Sequence, residues 1–221
     1  MPSAAELRQA LTDGLAALTR GPVASAVQST DDAGGLLAEE EALVANAVQR
    51  RRSEFAAGRR SARSALAAVG CPATPVMIGA LRQPLWPDGF AGSITHDGRY
   101  AAAIAWKAHT GCPNLSLDLI DREDFSVFPS VAPIIVHPDE QRWDGETALA
   151  RMFSAKETAI KILSPRLGRW MDLRALRARE AEGGYVVVLP GEQTAIRVRT
   201  LQLGRVILSL GMALETHANV M

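Results

Sequence analysis

The sequence predicts an α+β fold in two halves, each setting helices beside a small, mostly antiparallel sheet. Three observations lead there. Long helical patterns cover residues 36–69 and about 146–163. Short β-rich runs, punctuated by Gly, Asp and Pro, recur in both halves. Between them Gly111-Cys112-Pro113-Asn114 forms a natural seam, which divides the chain into segments 1–112 and 113–221.

In chain order, residues 4–19 carry an amphipathic pattern that stops at Gly21-Pro22. Asp31-Asp32-Ala33-Gly34-Gly35 is a turn. The helical pattern of 36–69 bends near Gly58 and ends at Gly70-Cys71-Pro72. Proline and glycine punctuate 75–87, leaving a loop and a short strand around 76–78. Residues 92–95 and 100–106 read as a hairpin joined through Asp97-Gly98. The second half opens with a strand over 115–120 and a strand-like 134–136. The helix from about 146 follows, ended by Pro165 and Gly168. A helix at 172–181 and β runs at 185–189, 195–200 and 206–214 complete the chain. No repeat is strong enough to establish internal duplication.

Composition narrows the function classes. Apolar residues make up 48% of the 221, ample for a packed core, and 22% charged is ordinary for a globular protein. Lys+Arg and Asp+Glu both number 24, so no global charge favours nucleic acid or a membrane surface. No stretch nears the ~18 consecutive apolar residues of a membrane span. The N-terminal stretch has no basic region followed by an apolar run, so no secretory signal is expected. Cys71 and Cys112 have neither disulfide nor metal-ligand spacing. The expectation is a soluble, cytoplasmic monomer.

Polar residues in apolar settings mark the candidate chemistry. Arg59 and Arg63 are four apart, so they project from one helix face, where two guanidiniums can clamp a phosphate. A solvated basic face has the same pattern, and the run Arg50-Arg51-Arg52 carries the same two alternatives. His96 closes Gly92-Ser93-Ile94-Thr95-His96 just before a turn, where a side chain can enter a cleft. A hydrogen-bonded structural histidine would sit there equally well. In Ser116-Leu117-Asp118-Leu119-Ile120, strand alternation puts Leu117 and Leu119 on one face, and Ser116, Asp118 and Ile120 on the other. A bare carboxylate in mid-strand costs on the order of several kcal/mol, so Asp118 needs a partner arginine or a cation such as Mg²⁺.

Phe153-Ser154-Ala155-Lys156-Glu157-Thr158-Ala159-Ile160-Lys161 places Glu157 and Lys161 four apart, a spacing that a surface salt pair shares. Ser154-x-x-Glu157 has the form of a capping box, but the helical pattern begins near Glu146 and makes Ser154 an interior position. Met152, Phe153, Ala159, Ile160 and Leu163 fill the apolar face. Lys156, Glu157 and Lys161 are left toward a rim.

Taken together, four stretches resemble the 4′-phosphopantetheinyl transferases of the Sfp/EntD type. They are Gly58-Arg59-Arg60-Ser61-Ala62-Arg63, the segment from Pro84-Leu85-Trp86-Pro87 to Gly92-Ser93-Ile94-Thr95-His96, Leu117-Asp118-Leu119, and the Lys156-Glu157-x-x-x-Lys161 helix. They occur in family order over about residues 55–163. The resemblance implies two similar α/β subdomains related by a pseudo-twofold, with coenzyme A and Mg²⁺ in the cleft between them. The N-terminal subdomain would hold the phosphate-binding arginines and His96, and the C-terminal one the metal-binding acids. A serine hydroxyl of an acyl or peptidyl carrier protein would attack the β-phosphate, giving holo-carrier protein and 3′,5′-ADP. Arg59, Arg63, Arg82, Thr95, His96, Lys156 and Lys161 would then serve coenzyme A. Asp118 and Glu157 would hold the metal, Glu157 would be the base, and His96 and Lys161 would complete the catalytic set. Arg50, Arg51 and Arg52 would meet an acidic carrier protein. Such displacement at phosphorus needs neutralised charge and an in-line hydroxyl; the arginines, the lysine and the metal would supply the first, and docking of the carrier protein the second.

One position departs from the family. Members usually read Gly-Ile-Asp-x-Glu where this chain reads Ser116-Leu117-Asp118-Leu119-Ile120, so the second acid is replaced by Ile120. Asp121 points to the other face unless the strand ends or bulges there. A coenzyme A-binding relative that has lost catalysis is the alternative reading.

Overall fold

The computed structural model describes residues 1–109, 114–122, 128–140 and 145–215. Residues 110–113, with Cys112 and the expected boundary after it, lie outside them. Helix α1 (Ala4–Leu18) starts at a capping box: Ser3 Oγ accepts from the Glu6 amide at 3.2 Å, and the Glu6 carboxylate accepts from the Ser3 amide at 2.7 Å. Strand β1 (Val23–Ser29) follows. Its small and polar residues dilute the β signal, and the sequence pattern does not announce it.

Helices α2 (Ala38–Ala42) and α3 (Gln49–Ala68) replace the single bent helix expected over 36–69. The interruption falls at 43–48, where Arg52 Nη1 reaches the carbonyls of Val44 and Ala45 at 3.3 Å each. Gly58 leaves α3 continuous. Strands β2 (Met77–Ile78) and β3 (Pro84–Leu85) form a small ribbon. Strands β4 (Phe90–His96) and β5 (Tyr100–Lys107) make the expected hairpin, with Gly98 at φ 85° in its turn, a conformation glycine adopts freely. β1 joins the far side of β5, giving the antiparallel order β1-β5-β4. Alternate residues of β5 face opposite ways. Ala103 and Ala105 pack with Ala62 and Ala65 of α3, while Ala102, Ile104 and Trp106 face a second apolar cluster.

The second sheet is also antiparallel, in the order β6-β10-β9-β8-β7. Its strands are β6 (Leu115–Asp121), β7 (Arg177–Ala181), β8 (Gly184–Val188), β9 (Thr194–Leu203) and β10 (Val206–Glu215). Helix α5 (Glu146–Leu167) lies on it, burying Ala155, Ala159 and Leu163 against Val187, Ile196 and Ile207, and ends at Gly168 in the left-handed region. The fold is therefore α+β, with antiparallel sheets.

Two expected elements differ. Residues 134–136 belong to the end of helix α4 (Phe128–Ile135), where the Val136 amide closes a helical bond to the Ala132 carbonyl at 2.8 Å. A short apolar run has no decisive period, and this one sits on a helix. Residues 172–181 hold a single 3-10 turn (Leu173–Ala175) and then β7, which pairs with β8 throughout. The alanines, arginines and glutamate there favour helix locally, and sheet pairing overrides them.

The sheets meet edge to edge. β6 and β4 each end their sheet, and hydroxyls on β4 satisfy amides on β6: Ser93 Oγ accepts from Leu117 N at 3.3 Å and Thr95 Oγ1 from Leu119 N at 3.0 Å. Behind this seam Leu7, Leu11 and Leu15 of α1 share one cluster with Val27, Ile104, Leu117, Leu119, Leu208 and Leu210. No helix among the described residues is long and apolar enough to cross a membrane.

Candidate active site

The strand alternation expected for β6 holds. Leu115, Leu117 and Leu119 enter the shared core, and the other face meets α5. Ser116 Oγ donates to the Thr158 carbonyl at 2.7 Å. Ile120 packs in the cluster of Leu149 and Ala150. Between them Asp118 is buried, and its partner cation is Lys161 rather than an arginine. Its Oδ1 accepts from Lys161 Nζ at 2.8 Å and from Thr95 Oγ1 at 3.2 Å, and its Oδ2 from Ser154 Oγ at 2.8 Å. Lys161 also donates to the Leu117 carbonyl at 2.9 Å. Asp121 is not a second acid here, because β6 pairs with β10 without a bulge and Asp121 bridges to Arg205 at 2.6 Å.

Glu157 lies one helical turn before Lys161. Burial holds its carboxyl above the ordinary carboxylate range, the Asp118 charge adds to the effect, and Lys161 opposes both. The two acids and the lysine thus lie close together. His96 stands beside them at the end of β4. Burial holds its pKa below the usual 6.5, and among its charged neighbours Glu54 and Asp118 oppose that fall while Arg51 and Lys161 add to it. Arg51 Nη1 lies 3.1 Å from His96 Nε2. A guanidinium can only donate, so Nε2 accepts and the proton of the neutral ring sits on Nδ1, which is 3.8 Å from Glu54 Oε2.

The arginines of α3 divide by their partners. Arg59 is buried over the Phe55 ring, 4.2 Å from its centroid, and burial lowers its pKa to about 10 without removing its charge at neutral pH. Its Nη2 reaches the Met77 carbonyl at 3.4 Å, whereas its buried Nε has no hydrogen-bond partner among the described residues. Arg63 is committed more fully, to the buried carboxylate of Glu40 and the Gly35 carbonyl. Arg50 Nε pairs with Glu54 at 2.9 Å and Arg52 turns onto loop carbonyls, so the Arg50-Arg51-Arg52 run is not a uniformly free basic face.

A groove of about 630 Å³ opens beside this group. Its walls include Glu157, Lys161, Arg82, Arg166, Trp86 and Trp170. Arg82 sits at φ 58°, the left-handed region, in the turn between β2 and β3. Gly92 lets the wall form: a Cβ there would stand 2.4 Å from the Ile104 carbonyl and 2.6 Å from the Trp86 ring. Arg59, Arg63 and His96 are not among the groove's lining residues.

Lys156 does not join them. Rather than facing a rim, its side chain is fully buried, donating to the Ile135 carbonyl at 2.8 Å and to Glu140 at 2.7 Å. Glu140 also accepts from the His137 and Ala178 amides, so the pair ties α4 and β7 to α5. Thr95, a candidate phosphate contact, has its hydroxyl engaged by Asp118 and the Leu119 amide. Ser154, Glu54, Glu40 and Arg166 are site neighbours that sequence reasoning missed. Only Ser154 left a signal, as a hydroxyl at an interior position of the long helix.

Comparison with known proteins identifies the family. Residues 39–106 match the 4′-phosphopantetheinyl transferase N-terminal domain, and residues 116–210 match the 4′-phosphopantetheinyl transferase superfamily. The chain is 34% identical over 151 residues to the 4′-phosphopantetheinyl transferase PptT of Mycobacterium tuberculosis, covering 61% of each chain. It is 37% identical over 139 residues to Npt of Nocardia iowensis, covering 60% of each. With Svp of Streptomyces mobaraensis it shares 39% identity over 153 residues, or 64% of this chain and 60% of the relative. The match thus spans about three fifths of these relatives' lengths. The chain belongs to the 4′-phosphopantetheinyl transferase superfamily.

Proposed function

We propose that the protein transfers the 4′-phosphopantetheine group of coenzyme A to a serine hydroxyl of an acyl or peptidyl carrier protein, releasing 3′,5′-ADP, as a cytoplasmic monomer. The observation that carries this reading is the convergence of Asp118, Glu157 and Lys161 beside a groove at the junction of two sheets. Segments 1–112 and 113–221 are then the two subdomains of a pseudo-twofold, a reading supported by one long helix on an antiparallel sheet in each.

Asp118 and Glu157 fit Mg²⁺ by their chemistry. Two carboxylates near enough for one to raise the other's pKa suit a hard cation that completes its shell with water and phosphate oxygens. Among the described residues no group of three His, Cys, Asp or Glu could hold a metal, so protein ligands alone would not fill such a shell. When bound, the cation would neutralise charge on the diphosphate.

The remaining work falls to the chain's own groups. Arg59, whose buried Nε has no hydrogen-bond partner among the described residues, is the leading phosphate contact, with Arg63, Arg82 and His96 beside it in role. Lys161 neutralises the diphosphate near Asp118. Ionised Glu157 accepts the serine proton as the hydroxyl oxygen bonds to the β-phosphorus. The bond from that phosphorus to the bridging oxygen breaks, and its electron pair leaves on 3′,5′-ADP.

Mass spectrometry of apo-carrier proteins incubated with coenzyme A and Mg²⁺ tests the reading. One phosphopantetheine should appear on one serine, and EDTA should abolish it. No mass gain across acyl and peptidyl carriers, despite measurable coenzyme A binding, would favour the second reading. That reading is a coenzyme A-binding relative without catalysis, and the packing of Ile120 in the core where the family carries an acid is the observation that supports it.

A further inference from the structure

We propose that Ser154, acting with Thr95, is a positioning residue that fixes the Asp118 carboxylate for cation binding. The inference rests on the carboxylate–lysine site described above. Ser154 is fully buried in the middle of α5, along a helix whose neighbouring Ala150, Ala155 and Ala159 are equally buried. Alanine is the better helix former, and a hydroxyl in an apolar wall is unfavourable unless bonded, so packing alone would select alanine at 154. The hydroxyl has a single hydrogen, and it is given to Asp118 Oδ2 at 2.8 Å.

Thr95 obeys the same accounting. Its oxygen accepts from the Leu119 amide at 3.0 Å, which leaves its one hydrogen for Asp118 Oδ1 at 3.2 Å. The two hydroxyls therefore grip different oxygens of one carboxylate, from a helix on one side and from the neighbouring sheet on the other. Rotation of the carboxylate would break at least one of these bonds. A carboxylate offers about four lone-pair sites, and the two hydroxyls with Lys161 take three, so capacity remains for one more electrophilic partner. Groups that orient a metal ligand from behind commonly change metal affinity by about 10–100-fold when lost. Ser154 is in that position.

The test is direct ion binding, with no turnover involved. Mn²⁺ affinity is read from the electron paramagnetic resonance signal of the free ion, at saturating coenzyme A, for wild type, Ser154→Ala and Ser154→Cys. The cysteine variant keeps nearly the same volume but donates weakly, so it guards against a fold defect in the alanine variant. The Mn²⁺ Kd should rise roughly 10–100-fold in Ser154→Ala and by less in Ser154→Cys. Coenzyme A affinity in EDTA should stay unchanged. An unchanged Mn²⁺ Kd in Ser154→Ala, or in Ser154→Cys should the alanine variant not fold, overturns the proposal even if the melting temperature drops. A hydroxyl that served packing alone would lower melting and leave the ion untouched. Failure of the wild-type protein to bind Mn²⁺ at all would sink the cation reading itself and the clamp with it, a result distinct from failure in the variants alone.

Discussion

At Glu157, burial and the charge of Asp118 both oppose ionisation, and the folded pKa exceeds the ordinary 4.5. The native state therefore holds this proton more tightly than the unfolded chain. Stability linked to it is present below the unfolded value and is lost as pH rises through the folded one. Glu157→Gln keeps the shape and removes the ionisation. In EDTA the variant should melt above wild type on the alkaline side of neutrality, and the difference should vanish below the unfolded pKa. Equal melting at both pH values would show that Lys161 already balances the carboxylate. In the transfer assay kcat should fall ~10²-fold or more, since base and ligand charge go together. Turnover near wild type would remove Glu157 from the chemistry. Its neighbour Lys156 should behave in the opposite way. Lys156→Ala strands Glu140 in the interior and should cost about 3–5 kcal/mol in urea melts, while the folded fraction keeps its coenzyme A affinity. Lost affinity at unchanged stability would return Lys156 to the phosphate contacts. Strand and helix periods made the faces of Asp118, Glu157 and Lys161 legible. They could not place Lys156, because its direction depends on an acid sixteen residues upstream whose position no local pattern reveals.

Among the elements, β6 decides how much of the family's acid set this chain can use. It pairs with β10 residue for residue from Leu115 to Asp121, which sends Asp121 away from Asp118 and onto Arg205. Ile120 shares Asp118's face but sits in the apolar cluster with Leu149 and Ala150. Ile120→Glu should therefore place an unpaired charge in the core and cost on the order of several kcal/mol. The loss should be the same with and without excess Mg²⁺ and coenzyme A. A variant destabilised alone but rescued by the cation would instead show that position 120 can still reach the site. Elements carrying their own signal were legible: the Asp97-Gly98 hairpin, the long helix, and β8 to β10. Those set by partners were not. β1 exists because β5 offers it an edge, and β7 because β8 pairs with its helix-favouring residues.

Over the whole molecule, the seam at 111–114 divides the sequence into two halves, yet one apolar cluster draws leucines from both. Leu7, Leu11 and Leu15 of α1 meet Ile104 and Trp106 of the first sheet together with Leu117, Leu208 and Leu210 of the second. The amphipathic stripe of α1 was legible, but a stripe does not say how many sheets it covers. Sharing one core couples the halves, so unfolding should be a single cooperative transition. Leu117 is the position to perturb, since it is fully buried on the edge strand nearest β4. Leu117→Ala should cost about 2–5 kcal/mol, through lost burial and the cavity left behind. The diagnostic is where that loss appears. Hydrogen exchange at the amides of Ala103 in β5 and Val198 in β9 should report the same drop in opening free energy, although the two strands lie in different sheets. If protection fell in β9 and stayed intact in β5, the halves would unfold independently. The junction that holds Asp118, Glu157 and Lys161 would then be a loose interface between two domains, and the site geometry would depend on how they dock.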